Sequence, residues 1–96
     1  MAEKLSGAER ETALAGLAGW TYAADSGTIL REFRFKSFTE AFAFMTRVAF
    51  LAEKADHHPD WSNSYALVTI SLSTHSAGGL TQKDVALARA IDGLGA

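Results

Sequence analysis

Cysteine is absent from the 96 residues. Its absence excludes a disulfide scaffold, thiolate metal sites and a cysteine nucleophile, and it fits a reducing, cytoplasmic setting. Proline occurs once, at Pro59, and no linker, repeat or low-complexity tract divides the chain. No apolar run approaches the roughly 20 residues of a membrane span. The opening MAEKLSGAERE carries acids and no apolar stretch, unlike a secretion signal. Positive charge is not in excess, since 9 Lys and Arg stand against 11 Asp and Glu for a net charge of -2. With the two signs mixed along the chain, there is no basic surface to grip a phosphate backbone. The expectation is one cytoplasmic domain over residues 1–96 that takes neither nucleic acid nor a membrane as partner. Its 48% hydrophobic content suffices for one modest core.

What is present begins with a repeated spacing. Ser6-x-x-Glu9, Ser37-x-x-Glu40 and Thr81-x-x-Asp84 each put a hydroxyl at a helix start and an acid three residues on. The hydroxyl accepts an orphan backbone N–H, while the acid reaches back or complements the helix dipole. Leu80 and Val85 are placed as a hydrophobic staple on the last start. The first helix is predicted over Gly7 to Ala18 with Gly19 as its stop, and the third over Gln82 to Asp92, ending at Gly93. The second, FTEAFAFMTRVAFLAEKA, is the longest. Its 3.6-residue period selects Phe38, Ala41, Phe42, Met45, Val48, Ala49 and Ala52 as the core stripe. Phe44 and Leu51 then fall on one flank and Phe50 nearly opposite, which leaves apolar surface for self-association.

Between the first two helices, WTYAADSGTILREFRF reads as a hairpin turning at Asp25-Ser26-Gly27. SYALVTISLST is the clearest strand, with Ala66, Val68, Ile70 and Leu72 facing one way. A short strand around Asp60 to Asn63 is a candidate neighbour. Local hairpins imply an antiparallel sheet, and one apolar face per strand implies helices packed on one side of it. The predicted class is α+β, a four-stranded antiparallel sheet with three helices on one face.

All three histidines fall late in the chain. His57 and His58 follow the long helix, where Pro59 biases His58 toward extended backbone, and His75 ends the best strand before Gly78-Gly79. Three readings stand open: polar loop residues, metal ligands completed by Glu53, or acid/base groups. Adjacent histidines in extended chain diverge, which fits poorly the i, i+4 spacing of helical metal pairs. Imidazole titrates near pH ~6.5, which suits a reaction that only moves protons. Trp20 and Trp61 offer stacking surfaces for a flat ligand or simple packing. Asp84 reads as a helix cap with a ligand contact as a possible second role. Ser73, Thr74 and Ser76 around His75 either bind a polar heterocycle or form the turn.

AEKADHHPDWSNSY followed by VTISLSTHSAGGLTQKDVALA resembles the pterin-4a-carbinolamine dehydratase family, which in animals doubles as the dimerization cofactor of a homeodomain transcription factor. The resemblance extends from LSGAERETALAGLAGW through FRFKSFTEAFAFMTRVAFLAEKA, nearly the whole chain. It implies a four-stranded antiparallel sheet covered by helices. It implies an activity too, removal of water from 4a-hydroxytetrahydrobiopterin to give quinonoid dihydropterin, which recycles the cofactor of aromatic amino acid hydroxylases. The family's active-site histidines match His57, His58 and His75. Its pterin-lining segments match Asp56 to His58 and Ser73 to Ser76, taking in Thr74. Glu53, Pro59, Trp61 and Asp84 match further motif positions, and Trp20 matches the tryptophan before the first strand. The resemblance implies dimers or tetramers through the long helix, and no metal or cofactor beyond the pterin substrate. A pterin-binding or protein-interaction module without turnover is the alternative. Ala66 and Ser76 depart from the family's commoner Asn and acid.

Overall fold

Each of the three hydroxyl–acid spacings opens a helix. In the computed structural model, which describes residues 3–96, α1 spans Gly7–Ala15, α2 Phe38–Ala55 and α3 Gln82–Asp92. Met1 and Ala2, the first residues of the expected domain and of its opening segment, lie outside the described residues. At α1, Glu9 N–H donates to Ser6 Oγ at 3.1 Å, and Ser6 N–H donates to the Glu9 carboxylate at 2.8 Å. Hydrogen bonding from Ser6, its backbone N–H first and its side chain second, holds the Glu9 carboxyl below the usual carboxylate range. Thr81 and Asp84 form the same reciprocal box at α3. At α2 only the Ser37 half forms, because Glu40 accepts from Lys36 N–H instead.

α1 stops at Gly16, earlier than the predicted Ala18. The chain leaves the helix there so that Leu17 and Trp20 can both turn inward, leaving 1% and 6% of their surface exposed. Gly19, the expected stop, answers a different need. A Cβ at Gly19 would meet the Arg31 guanidinium at 2.7–2.9 Å, and that guanidinium is pinned to Asp92 at 2.7 Å.

The strands β1 (Thr21–Ala23), β2 (Thr28–Arg34), β3 (Asp60–Ser64) and β4 (Leu67–Leu72) form one antiparallel sheet in the order β1-β2-β4-β3. Gly27, at φ 66°, closes the β1–β2 turn. The run predicted as one strand from Ser64 divides between β3 and β4. Tyr65 and Ala66 make the turn, Tyr65 has φ 52°, and the Asn63 side-chain amide donates to the Tyr65 and Leu67 carbonyls. No glycine marks this turn, which is why the alternation hides it. The alternation itself holds, for Val68, Ile70 and Leu72 are buried together with Ile29 and Phe33 of β2. With Val48, Leu87, Ala88 and Ile91 they form one core cluster, each large aliphatic side chain stabilising by about 1.5–3 kcal/mol.

The stripe predicted on α2 needs correction. The buried positions are Ala41, Phe44, Val48 and Ala52. Phe38 and Phe42 lie outside at 46% and 55% exposure, and Phe50 is more exposed still. Phe44 sits 4.7 Å from the Phe33 ring and 5.0 Å from the Phe35 ring, so the sheet's aromatics set the rotation of the helix. Phe44 is therefore unavailable to a partner, whereas Phe38 and Phe42 are accessible. Among the described residues no helix is long and apolar enough to cross a membrane.

Candidate active site

The end of α2 aims the first two histidines. Asp56 adopts the left-handed conformation, φ 50° and ψ 44°. Its N–H reaches the Glu53 carbonyl at 3.2 Å, and the His57 N–H reaches the Ala52 carbonyl at 3.1 Å. These two bonds are a Schellman closure, with Asp where glycine is usual. The chain then runs through half-buried Pro59 into β3. Asp60 pairs with Ser71 of β4, so residues 57–59 enter the sheet at the end where residues 73–75 leave it. His75 does not close β4 as predicted. It begins a short 3-10 turn, His75–Ala77, with Gly78 left-handed at φ 75° and a bridge between Thr74 and Gly79.

Each histidine meets a carboxylate. His57 Nε2 lies 2.5 Å from Asp84 Oδ1, His58 Nε2 lies 2.6 Å from Glu53 Oε1, and His75 Nε2 lies 3.4 Å from Asp60 Oδ2. The surroundings are graded. Asp84 is fully buried and His57 retains 11% of its side-chain surface, whereas His58 and His75 retain 57% and 83%. Asp84 has further partners, since its Oδ2 accepts from Thr81 N–H at 2.9 Å and from Thr74 Oγ1 at 2.8 Å. The acid that caps α3, as the sequence suggested, is thus also the anchor of His57, a role the sequence did not suggest.

Glu53, Asp56, His57, His58, Pro59, Ser73, Thr74, His75, Ser76 and Asp84 all belong to the segments joined here. Their side chains do not all face a ligand. The Thr74 hydroxyl turns inward to Asp84, and Ser73 Oγ donates to the Gly27 carbonyl. Ser76 stays exposed in the 3-10 turn. Trp61 pairs with Ile70 across the sheet and lines an apolar groove with Phe42, Met45 and Ala49. Trp20 is not brought to the histidines. It is buried beside Phe33, and its indole N–H donates to Asp92 at 2.9 Å, at the far end of α3 from Asp84. Asp60 escaped the sequence reading. Its only signal was an acid two residues past the histidine pair, and the register that brings it to His75 is a property of the sheet. Among the described residues, no three His, Asp or Glu side chains gather as a metal sphere requires. Imidazoles held by carboxylates, two of them exposed, can deliver and accept protons.

Comparison with known proteins extends the same picture over the whole chain. The family described as "Pterin 4 alpha carbinolamine dehydratase" matches residues 3–94. A Mesorhizobium japonicum protein provisionally named as such a dehydratase is 58% identical over 87 residues, covering 91% of this chain and 89% of the relative. One from Rhodopseudomonas palustris, named in the same way, is 51% identical over 94 residues, covering 98% and 93%. Among solved structures, a transcriptional coactivator/pterin dehydratase from Brucella melitensis superposes with a TM-score of 0.92 at 40% identity, over 98% of this chain and 100% of that one. A pterin dehydratase-like protein identified as a RuBisCO assembly factor in the α-carboxysome gives 0.68 at 25% identity, over 79% and 88%. With full-length matches in sequence and in fold, the chain belongs to the pterin-4a-carbinolamine dehydratase family.

Proposed function

We propose that the protein removes water from a 4a-hydroxytetrahydropterin to give the quinonoid dihydropterin, recycling the pterin used by aromatic amino acid hydroxylases. The observation that carries this reading is that three histidines, each held by a carboxylate, lie on segments at one end of the sheet. The substrate bears a hydroxyl on C4a beside N5–H. The C4a–O bond breaks as a proton reaches the departing oxygen, and N5 loses its proton as the C4a–N5 double bond forms. One acid and one base suffice, and no metal or organic cofactor takes part. His58 and His75 share the two proton transfers, being the exposed pair, while half-buried His57 shapes the site or assists them. Glu53 and Asp60 orient their histidines. Self-association belongs to the same reading, through the exposed side of α2 at Phe38 and Phe42 and the groove that Phe42 shares with Trp61.

The test is dehydration of freshly generated 4a-hydroxytetrahydropterin followed by ultraviolet absorbance. A rate above the uncatalysed one, retained after dialysis against a chelator, is expected. A second reading, a protein-interaction module, is favoured by the exposed aromatics of α2 and by the descriptions of the two solved relatives as a coactivator and an assembly factor. Pterin binding or partner binding without turnover would establish it instead.

A further inference from the structure

The hydrogen bonds behind His57 run in one direction. Lys83 N–H donates to Thr81 Oγ1 at 3.2 Å. Thr74 Oγ1 donates its single proton to Asp84 Oδ2 at 2.8 Å. The bond between the two hydroxyls, also 2.8 Å, must then be donated by Thr81. Asp84 Oδ2 thus receives Thr74 O–H and Thr81 N–H, and Oδ1 is left facing His57 Nε2. Thr81 and Asp84 are fully buried and Thr74 is 9% exposed, so water does not compete along the chain. The other ring nitrogen of His57 has no partner among the described residues, and no buried side-chain nitrogen there lacks one. His57 Nδ1 therefore reaches the surface.

We infer that Thr81 and Thr74 are positioning residues which act through Asp84 to hold neutral His57 with its proton on Nε2, so that Nδ1 is the nitrogen it presents to a ligand. A carboxylate that already takes two donors on one oxygen accepts, rather than donates, at the other. A ring held in this way offers a lone pair of fixed direction and cannot exchange tautomers without breaking the Asp84 contact. The consequence for turnover rests on the dehydratase reading proposed above, whereas the tautomer does not.

The test uses the full chain, labelled with nitrogen-15, and long-range proton–nitrogen correlation of the histidine rings at a pH about two units above the ordinary imidazole value of ~6.5. His57 is expected to show a protonated Nε2 and a bare Nδ1. Thr74→Val should mix the two tautomers and lower kcat about fivefold at nearly constant KM, the size of one side-chain hydrogen bond. Thr74→Ser should restore both. A parent His57 carrying its proton on Nδ1, or one already mixed, overturns the inference, and so does an active Thr74→Val whose ring spectrum and kcat match the parent. The parent spectrum decides the matter even if Thr74→Val does not fold. The expected spectrum in a protein without dehydratase activity leaves the inference standing and removes the catalytic reading alone.

Discussion

His58 and His75 keep most of their ring surface in solvent, each tied by a single contact to an exposed acid. Removing either ring therefore costs little folding energy, within about 0.5 kcal/mol for an exposed polar side chain. General acid/base groups contribute about 10²–10⁴-fold, so His58→Ala and His75→Ala should each slow dehydration by at least about tenfold. The double variant should lose less than the product of the two, because groups acting as a unit are non-additive. Rate by ultraviolet absorbance and fold by circular dichroism, on the same samples, check this. Trp20 makes the contrasting case. Trp20→Phe removes the donor to Asp92 yet leaves that carboxylate its bond to Arg31. A loss of about 1–2 kcal/mol in urea unfolding with kcat unchanged is expected. At this scale the sequence disclosed the histidines but only some of their partners. Glu53 lies five residues from His58, within reach of one helix end. Asp60 lies 15 residues from His75 and Asp84 lies 27 from His57, distances that only strand register and the packing of α3 can close.

The ends of α2 were legible because they are chemical: Ser37 opens the helix, and the predicted span is the observed one. Its rotation was not legible, since apolar residues cover so much of its circumference that two adjoining stripes fit the same period. Packing against Phe33 and Phe35 chose the stripe containing Phe44. Phe44→Ala should accordingly cost about 3–5 kcal/mol of stability, whereas Phe42→Ala should stay within about 0.5 kcal/mol, both read from urea midpoints. The closing residue of the helix offers a second check. Asp56 holds a left-handed backbone that glycine adopts freely. Asp56→Gly should raise stability by about 0.5–1 kcal/mol, and Asp56→Val should lower it by about 1–2 kcal/mol. Turnover of the glycine variant then isolates any contribution of the Asp56 carboxylate to the ligand.

Taken whole, the molecule is a single 10.3 kDa chain whose α+β class followed from the order of its periodic segments. The strand order β1-β2-β4-β3 did not, because which strands meet is decided by long-range packing rather than by neighbours in sequence. Self-association should run through the outer side of α2. Sedimentation at micromolar concentration is expected to show species larger than one chain, and Phe42→Glu is expected to shift them toward 10.3 kDa without unfolding. A parent that sediments only as the monomer removes that expectation. One further property of the whole follows from Asp84, which closes the first turn of α3 and holds His57 with the same carboxylate. The first turn of α3 cannot fray without loosening the site. A ligand that steadies His57 should therefore slow hydrogen exchange at the Thr81 and Asp84 amides, far beyond its own footprint. By the reciprocity of linked equilibria, a change that only unwinds that turn should weaken the ligand without touching it.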